Sequence, residues 1–286
     1  PMQDAKLIAK SHDAHRSVIA LNDQVTVGGD ELLIIGGPCS VESLEQMETI
    51  ADRLGHQSIQ ALRGGVYKPR TSPYAFQGVG ESGLTILDRV RRRYQLPVIT
   101  EAMAIHQIEA LVAHADVLQV GSRNMQNFDL LKALGEIDRP VVLKRGLAAT
   151  VQEFVMAAEY IASHGNTNVI LCERGIRSFD NYTRNVLDLG AVVALKQLTH
   201  LPVIADPSHA AGKRELVASL ARAAIAAGVD GIMVECHPVP DESISDARQT
   251  LSLDAMVDLV DSLRPIAAAV GRIMPMPQGA AQTAFV

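Results

Sequence analysis

The segment over residues 62–74, LRGGVYKPRTSPY, sets Arg63, Lys68 and Arg70 within eight residues, among two glycines and a proline. The chain as a whole is acidic. It carries 26 Lys and Arg against 32 Asp and Glu in 286 residues, a formal charge of −6, so no nucleic-acid or anionic-membrane surface is expected and the basic segment is a local device. Arg and Lys on a stiff loop suit phosphate or carboxylate, Arg through paired N–H donors and Lys as a point charge. Pro69 fixes its own φ and restricts Lys68 to extended conformations, so the two flanking cations have little freedom left to lose on binding. Three more cations, Arg123, Lys144 and Arg174, stand at or just past the ends of short apolar runs. Six positive groups brought to one mouth would need anions to offset their repulsion, which points to a substrate, or a pair, with more than one phosphate. A second set has the chemistry of metal ligands. Cys39, His209 and Glu235 also close apolar runs, and Asp246 in the following loop is available as a fourth. A Cys, His, Glu and Asp set suits one borderline divalent ion, Mn, Co, Fe or Zn. Taken singly, Cys39 also reads as a buried apolar thiol and Asp246 as a solvated loop residue or helix cap.

These residues lie far apart in the chain, so their joint action depends on elements that bring them together. Eight short apolar runs begin at Leu32, Gln60, Pro97, Val117, Pro140, Val169, Pro202 and Gly231, and they alternate with amphipathic stretches such as those from Ser43, Thr150, Lys213 and Ser252. That is the pattern of repeated βα units. Eight units without a GxGxxG turn predict a closed (β/α)8 TIM barrel rather than an open doubly wound sheet. Closure makes the first, seventh and eighth strands neighbours and so gathers Cys39, His209 and Glu235. Residues 1–30 are expected to form an N-terminal extension and hairpin strand, 31–272 the catalytic barrel and 273–286 a C-terminal tail. In the first of these, QVTVGGDELLII reads as a strand, a Gly-Gly turn and the first barrel strand, a short β-hairpin closing the barrel bottom.

Composition bounds the rest. An apolar content of 48% is ample for one core. The three cysteines are widely spaced with no CxxC, so no disulfide and a reduced, cytoplasmic setting are expected, with Cys172 and Cys236 assigned to packing. No basic-then-apolar leader and no apolar run of ~18 residues is present, and no membrane association is expected. At the strand ends, Glu101 reads either as a water-positioning carboxylate or as an ion-pair partner of a nearby Arg. Glu235 and His237, two apart on one strand, are expected to face the same way, with His237 supporting or competing with the ligand set.

The motifs IIGGPCSVES, RGGVYKPRTSPYAFQG, TEAM, QVGSRNMQN, VLKRG, LCERG, IADPSHAAG and VECHPVP, in this order, closely resemble 3-deoxy-D-arabino-heptulosonate 7-phosphate synthase of the short type I-beta form, over nearly the whole chain from about Val25 to Leu263. The resemblance implies condensation of phosphoenolpyruvate with erythrose 4-phosphate and release of phosphate, the first step of the shikimate pathway. It implies Cys39, His209, Glu235 and Asp246 as ligands of one divalent ion, Mn2+ first among the candidates. Arg63, Lys68, Arg123, Lys144 and Arg174 would hold phosphoenolpyruvate, and Arg70 with Thr71 the erythrose 4-phosphate phosphate. Lys68, Glu101 and His237 are the candidate catalytic residues, Lys68 because crowding by cations is expected to lower its pKa. A homodimer or homotetramer is expected, as is insensitivity to aromatic amino acids, since the segments outside the barrel are short. One departure is that the family's AGPCS is GGPCS here, with Gly36 and Gly37, expected to alter flexibility rather than chemistry. The sister 3-deoxy-D-manno-octulosonate 8-phosphate synthases, which use arabinose 5-phosphate, have a KANRSS-like element where this chain has KPRTS, and Pro69 and Thr71 argue against them. A non-catalytic sugar-phosphate-binding barrel is the remaining alternative, disfavoured because the four metal-type residues are all present.

Overall fold

The computed structural model describes residues 4–275. A two-stranded antiparallel hairpin, β1 (Ile19–Ala20) and β2 (Thr26–Val27), precedes eight parallel strands: β3 (Leu33–Gly37), β4 (Ala61–Arg63), β5 (Val98–Glu101), β6 (Val117–Val120), β7 (Val141–Lys144), β8 (Val169–Glu173), β9 (Val203–Ala205) and β10 (Gly231–Glu235). The eight close into a barrel in sequence order, with β10 pairing β3 from Gly231 beside Leu33 to Glu235 beside Gly37. Each strand begins within a residue or so of an expected apolar run, and the fold class is the expected (β/α)8 barrel.

The strands are nearly continuous apolar runs because helices cover the outer face while side chains fill the inner one. Side-chain alternation divides them. Leu33 and Ile35, Ala61, Ile99, Val117, Val142, Ile170 and Cys172, Ile204 and Met233 form the apolar cluster of the interior. Their neighbours Ile34, Leu62, Val98, Leu118, Val141, Leu143, Leu171 and Ile232 belong to the larger cluster packed under the helices. The outer ring consists of α1 (Leu44–Leu54), α2 (Glu81–Tyr94), α3 (Ile108–His114), α4 (Phe128–Gly135), α5 (Val151–Ser163), α6 (Leu189–Leu198), α8 (Arg214–Ala226) and α9 (Leu253–Ala269), and a short α7 (Pro207–Ala211) is inserted after β9. Ser43, Thr150 and Ser252 each accept a backbone N–H of their helix's first turn, and Thr150 and Glu153 form a reciprocal capping box.

The hairpin differs from expectation. Thr26–Val27 pairs with Ile19–Ala20 and not with the first barrel strand. The Gly28–Gly29 step sends the chain into the barrel instead of folding it back. Ile19, Leu21 and Val27 nevertheless join the interior cluster with Leu33 and Ile35, so the hairpin covers apolar side chains at the strand beginnings. Upstream, the buried Glu159 of α5 accepts the backbone N–H groups of Lys6, Leu7 and Ile8, tying the N-terminal segment to the ring. Ile273 pairs with Glu31, and residues 276–286 of the expected tail lie outside the described residues. No helix among the described residues is long and apolar enough to cross a membrane. The three cysteines are buried and free.

Candidate active site and metal centre

Extending the inward alternation by two residues lifts the interior from apolar to polar on seven of the eight strands, β3 reaching Gly37 instead. Above Ala61 stands Arg63; above Ile99, Glu101; above Val117, Gln119; above Val142, Lys144; above Cys172, Arg174; above Ile204, Asp206; above Met233, Glu235. This polar layer caps the core at the C-terminal end of the barrel, where (β/α)8 chemistry is placed. Loops complete it.

The four expected metal-type residues meet there. One donor atom from each of Cys39, His209, Glu235 and Asp246 lies within 4.8 Å of every other. Cys39 follows β3, His209 sits on α7, Glu235 ends β10 and Asp246 precedes a turn of 3₁₀ helix (Ala247–Gln249). Asp246 holds a left-handed backbone, φ 57°, a conformation that Asp tolerates better than most residues. Its Oδ2 is 3.0 Å from Cys39 Sγ, and His209 Nε2 lies 3.3 Å from Glu235 Oε1 and 3.8 Å from Asp246 Oδ2. Each donor also has a side-chain partner outside the cluster, Lys68 Nζ in the case of Cys39. His209 Nδ1 faces Asp206 Oδ2 at 2.7 Å, Glu235 accepts from Arg63 Nη1 at 2.8 Å and Gln249 Nε2 at 2.6 Å, and Arg184 Nη1 reaches Asp246 Oδ1 at 3.0 Å. Burial pushes the Cys39 thiol up to about 12, with Glu235 adding to the rise. Burial also holds His209 below its ordinary value, which favours the neutral imidazole a metal needs. Burial raises Asp246, but His209, the Cys39 thiol and Arg184 outweigh it and keep the carboxyl below its usual range. A buried thiol, a neutral imidazole and two carboxylates converging on one point fit a divalent cation.

All six expected cations line one cavity of about 550 Å³ beside this cluster, with Arg177 and Arg184 joining them. They are not equivalent. Arg63 is already paired with Glu235, and Lys144 Nζ with Asp206 Oδ2 at 2.5 Å. Arg70 Nη1 touches Ser245 Oγ at 3.0 Å. Arg174 is buried, yet its Nε and Nη1 have no hydrogen-bond partner among the described residues, and burial pulls its guanidinium below the ordinary value. Thr71 and Arg123 are exposed on the cavity wall. Arg145, by contrast, turns away to Glu173 and Asp188.

Lys68 departs from expectation. Burial alone would lower its ammonium, but Nζ lies 2.7 Å from Cys39 Sγ, and Cys39 with Glu235 outweighs burial, so its pKa is raised. The expected lowering considered only the neighbouring cations; the nearest groups are a sulfur, a carbonyl oxygen and a carboxylate. Glu101 makes no ion pair among the described residues. Its Oε2 accepts from Gln119 Nε2 at 3.0 Å while the buried Oε1 is unpartnered. A Cβ on Gly121 would come within 2.2 Å of that Oε1, so glycine there makes the carboxylate's approach feasible. His237 stays outside the cavity. β10 ends at Glu235, the two-residue alternation stops, and the His237 ring lies 3.4 Å from Glu42 Oε2. The GGPCS departure is a matter of room rather than flexibility: an alanine Cβ at Gly36 would meet Ile59 Cγ2 at 2.8 Å.

Sequence reasoning missed Asp206, Gln119, Gln249, Arg177 and Arg184. Asp206 and Gln119 were recoverable by continuing the inward alternation past the strand ends. The order Asp-Pro-Ser-His also announces an N-cap Asp, a Pro at the first helical position and a His at the third. Gln249, Arg177 and Arg184 sit in loops, where no periodicity points to them.

Fold and site together define a (β/α)8 barrel with a cation-lined cavity beside a cluster of metal-type donors. The chain belongs to the DAHP synthetase I family, whose model matches residues 11–267. It is 46% identical over 266 residues to a phospho-2-dehydro-3-deoxyheptonate aldolase of Thermotoga maritima, spanning 93% of this chain and 78% of that one. It is 34% identical to a 2-dehydro-3-deoxyphosphooctonate aldolase of Syntrophotalea carbinolica, over 86% of this chain and 95% of that one. Among solved structures, the Thermotoga maritima DAHP synthase superposes with a TM-score of 0.89 at 45% identity, covering 94% of this chain and 78% of that one. A truncated form of 3-deoxy-D-arabino-heptulosonate 7-phosphate synthase from the same organism gives 0.87 at 42%, covering 94% and 98%.

Proposed function

We propose that this chain is a 3-deoxy-D-arabino-heptulosonate 7-phosphate synthase, joining phosphoenolpyruvate, D-erythrose 4-phosphate and water into the seven-carbon sugar acid phosphate with release of inorganic phosphate. The observation that carries the reading is the convergence of a four-donor metal-type cluster and eight Arg and Lys side chains on one cavity mouth. The higher identity to the heptonate enzyme than to the octonate one, and the KPRT loop on the cavity wall, support the four-carbon sugar.

Arg174, with two buried N–H nitrogens lacking acceptors, is the strongest anion seeker and takes the phosphoenolpyruvate phosphate with Arg123. Lys144 and the free N–H groups of Arg63 hold the carboxylate, with their other contacts fixed on Asp206 and Glu235. Arg70 and Thr71, both on the cavity wall, hold the sugar phosphate. A divalent ion held by Cys39, His209, Glu235 and Asp246 would supply Lewis-acid polarisation of the sugar aldehyde. Fixing phosphoenolpyruvate with C3 against the aldehyde carbon removes most of the entropic barrier to the new carbon–carbon bond. Lys68, held as an ammonium, donates a proton to the former aldehyde oxygen. Glu101, on the cavity wall, orients the water that adds at C2 and takes its proton. The phosphohemiketal then collapses to the ketone: its C2 hydroxyl proton returns to Lys68, the bond from C2 to the phosphate oxygen breaks, and Glu101 passes its proton to the departing phosphate. His237 has no part in this reading. We assign Mn2+ first, a cytoplasmic setting in keeping with three unpaired cysteines, and a homodimer or homotetramer on the family resemblance.

The test compares kcat/KM for erythrose 4-phosphate and arabinose 5-phosphate, with and without a chelator. The four-carbon sugar is expected to be preferred, and metal stripping to abolish turnover until a divalent transition ion is restored. A preference for the five-carbon sugar overturns the assignment, and full activity in stripped protein removes the metal from it.

A further inference from the structure

The buried carboxylate of Asp206 serves several groups at once. Asp206 stands one residue past β9, on the inward-facing register above Ile204, and is fully buried. Oδ1 accepts the backbone N–H of His209 at 2.9 Å and so caps α7. Oδ2 lies 2.7 Å from His209 Nδ1 and 2.5 Å from Lys144 Nζ. An ammonium can only donate, so Oδ2 is locked as an acceptor, and the imidazole nitrogen opposite it must carry the ring proton. The nitrogen left to offer a lone pair to a metal is Nε2, and it is Nε2 that faces Glu235 Oε1 and Asp246 Oδ2 at the centre of the donor cluster. Backbone and ring of His209 are both fixed by the one side chain.

We infer that Asp206 is a positioning residue that selects the metal-ligating tautomer of His209, with Lys144 holding the selecting oxygen in place. This rests on the metal reading given above. The neutral ring otherwise has two tautomers, and the one protonated at Nε2 presents an N–H, not a lone pair, to the cluster. A serine protease triad whose aspartate is replaced by asparagine loses activity for the same physical reason, the imidazole being held in the wrong tautomer.

The test substitutes Asp206→Asn. Asparagine caps a helix as well as aspartate does, so Oδ1 still accepts from the His209 backbone while an amide N–H2 replaces Oδ2. That amide donates to Nδ1, and the ring proton moves to Nε2. Two measurements are made. The first is 15N NMR of the metal-stripped protein, with the His209 signals identified by their loss in His209→Gln. The second is titration with Co2+, followed through the thiolate-to-cobalt absorption of Cys39. The unmodified protein should show Nδ1–H at His209; Asp206→Asn should show Nε2–H and bind Co2+ about 10–100-fold more weakly. Since Asp206→Asn leaves the buried Lys144 ammonium without its carboxylate, a cost to folding, the double variant Asp206→Asn/Lys144→Met is measured alongside, with the same outcome expected. A role confined to capping predicts no change of tautomer. Retention of Nδ1–H with Co2+ affinity within about twofold in both variants, or Nε2–H in the unmodified protein, overturns the inference. Absence of any thiolate-to-cobalt band in the unmodified protein would instead overturn the metal reading, while the NMR comparison still decides the role of Asp206.

Discussion

Arg174 and Arg70 show how differently two cations of one cavity are poised. Arg174 is desolvated with two N–H nitrogens unmatched, a state that an incoming anion relieves. Arg70, on the cavity wall, already has a partner, the buried Ser245 hydroxyl. If they serve the two ends of the reaction as proposed, their truncations separate in steady-state kinetics. Arg70→Ala should raise KM for erythrose 4-phosphate much more than for phosphoenolpyruvate, by about 2 kcal/mol for a lost charge-assisted contact. Arg174→Ala should show the reverse, and Arg174→Lys should not restore it, because a point charge cannot replace the paired guanidinium donors. Equal KM changes for both substrates in both variants would remove the division of labour.

At the level of elements, α2 carries a charge pattern whose stability contribution depends on pH. Asp88 pairs with Arg91 at 2.6 Å and Arg92 at 2.9 Å, one turn on, and Arg91 reaches across to Asp116 at 3.1 Å. Burial would raise the Asp88 carboxyl, but the hydrogen bonds from Arg91 and Arg92 outweigh it and hold it below its ordinary 3.8. A carboxyl depressed in the folded state contributes stability above its unfolded pKa and loses it as pH falls through the lower folded value. Because Arg92 is largely exposed, the amount is small. Asp88→Asn should lower unfolding free energy by about 0.5 kcal/mol at pH 7, and the gap to the unmodified protein should close as urea titrations move below pH 3.8. A gap that stays constant down to pH 2.5 would assign the effect to packing.

For the molecule as a whole, the closed barrel separates what holds it together from what reacts. The hairpin floor, where Ile19 and Val27 meet Leu33 and Ile35, lies at the strand beginnings, and the polar layer lies at the strand ends. Ile19→Ala leaves a cavity in the floor and should cost about 2–4 kcal/mol in denaturant unfolding. At temperatures where the variant stays folded, kcat/KM for both substrates should match the unmodified protein. A parallel fall in activity would show that floor and mouth are coupled through the core.

The βα repeat is legible from residue order alone. Alternating apolar runs and amphipathic stretches obey local periods of 2.0 and 3.6 residues, which a reader can follow without contacts. The placing of Arg63, Glu101, Lys144 and Glu235 at strand ends followed from that periodicity, as did the gathering of Cys39, His209 and Glu235 once closure was assumed. The tertiary structure alone decided which charges neutralise one another. Arg63 with Glu235 and Lys144 with Asp206 join strands distant in sequence, while Arg174 is left free. The ammonium of Lys68 is raised by a sulfur and a carboxylate that no spacing brings near it, and His237 leaves the cluster because its strand stops two residues short. Periodicity fixes which way a side chain points; the burial and partners it finds there depend on the angular positions of eight strands, and so on the closure of the whole barrel.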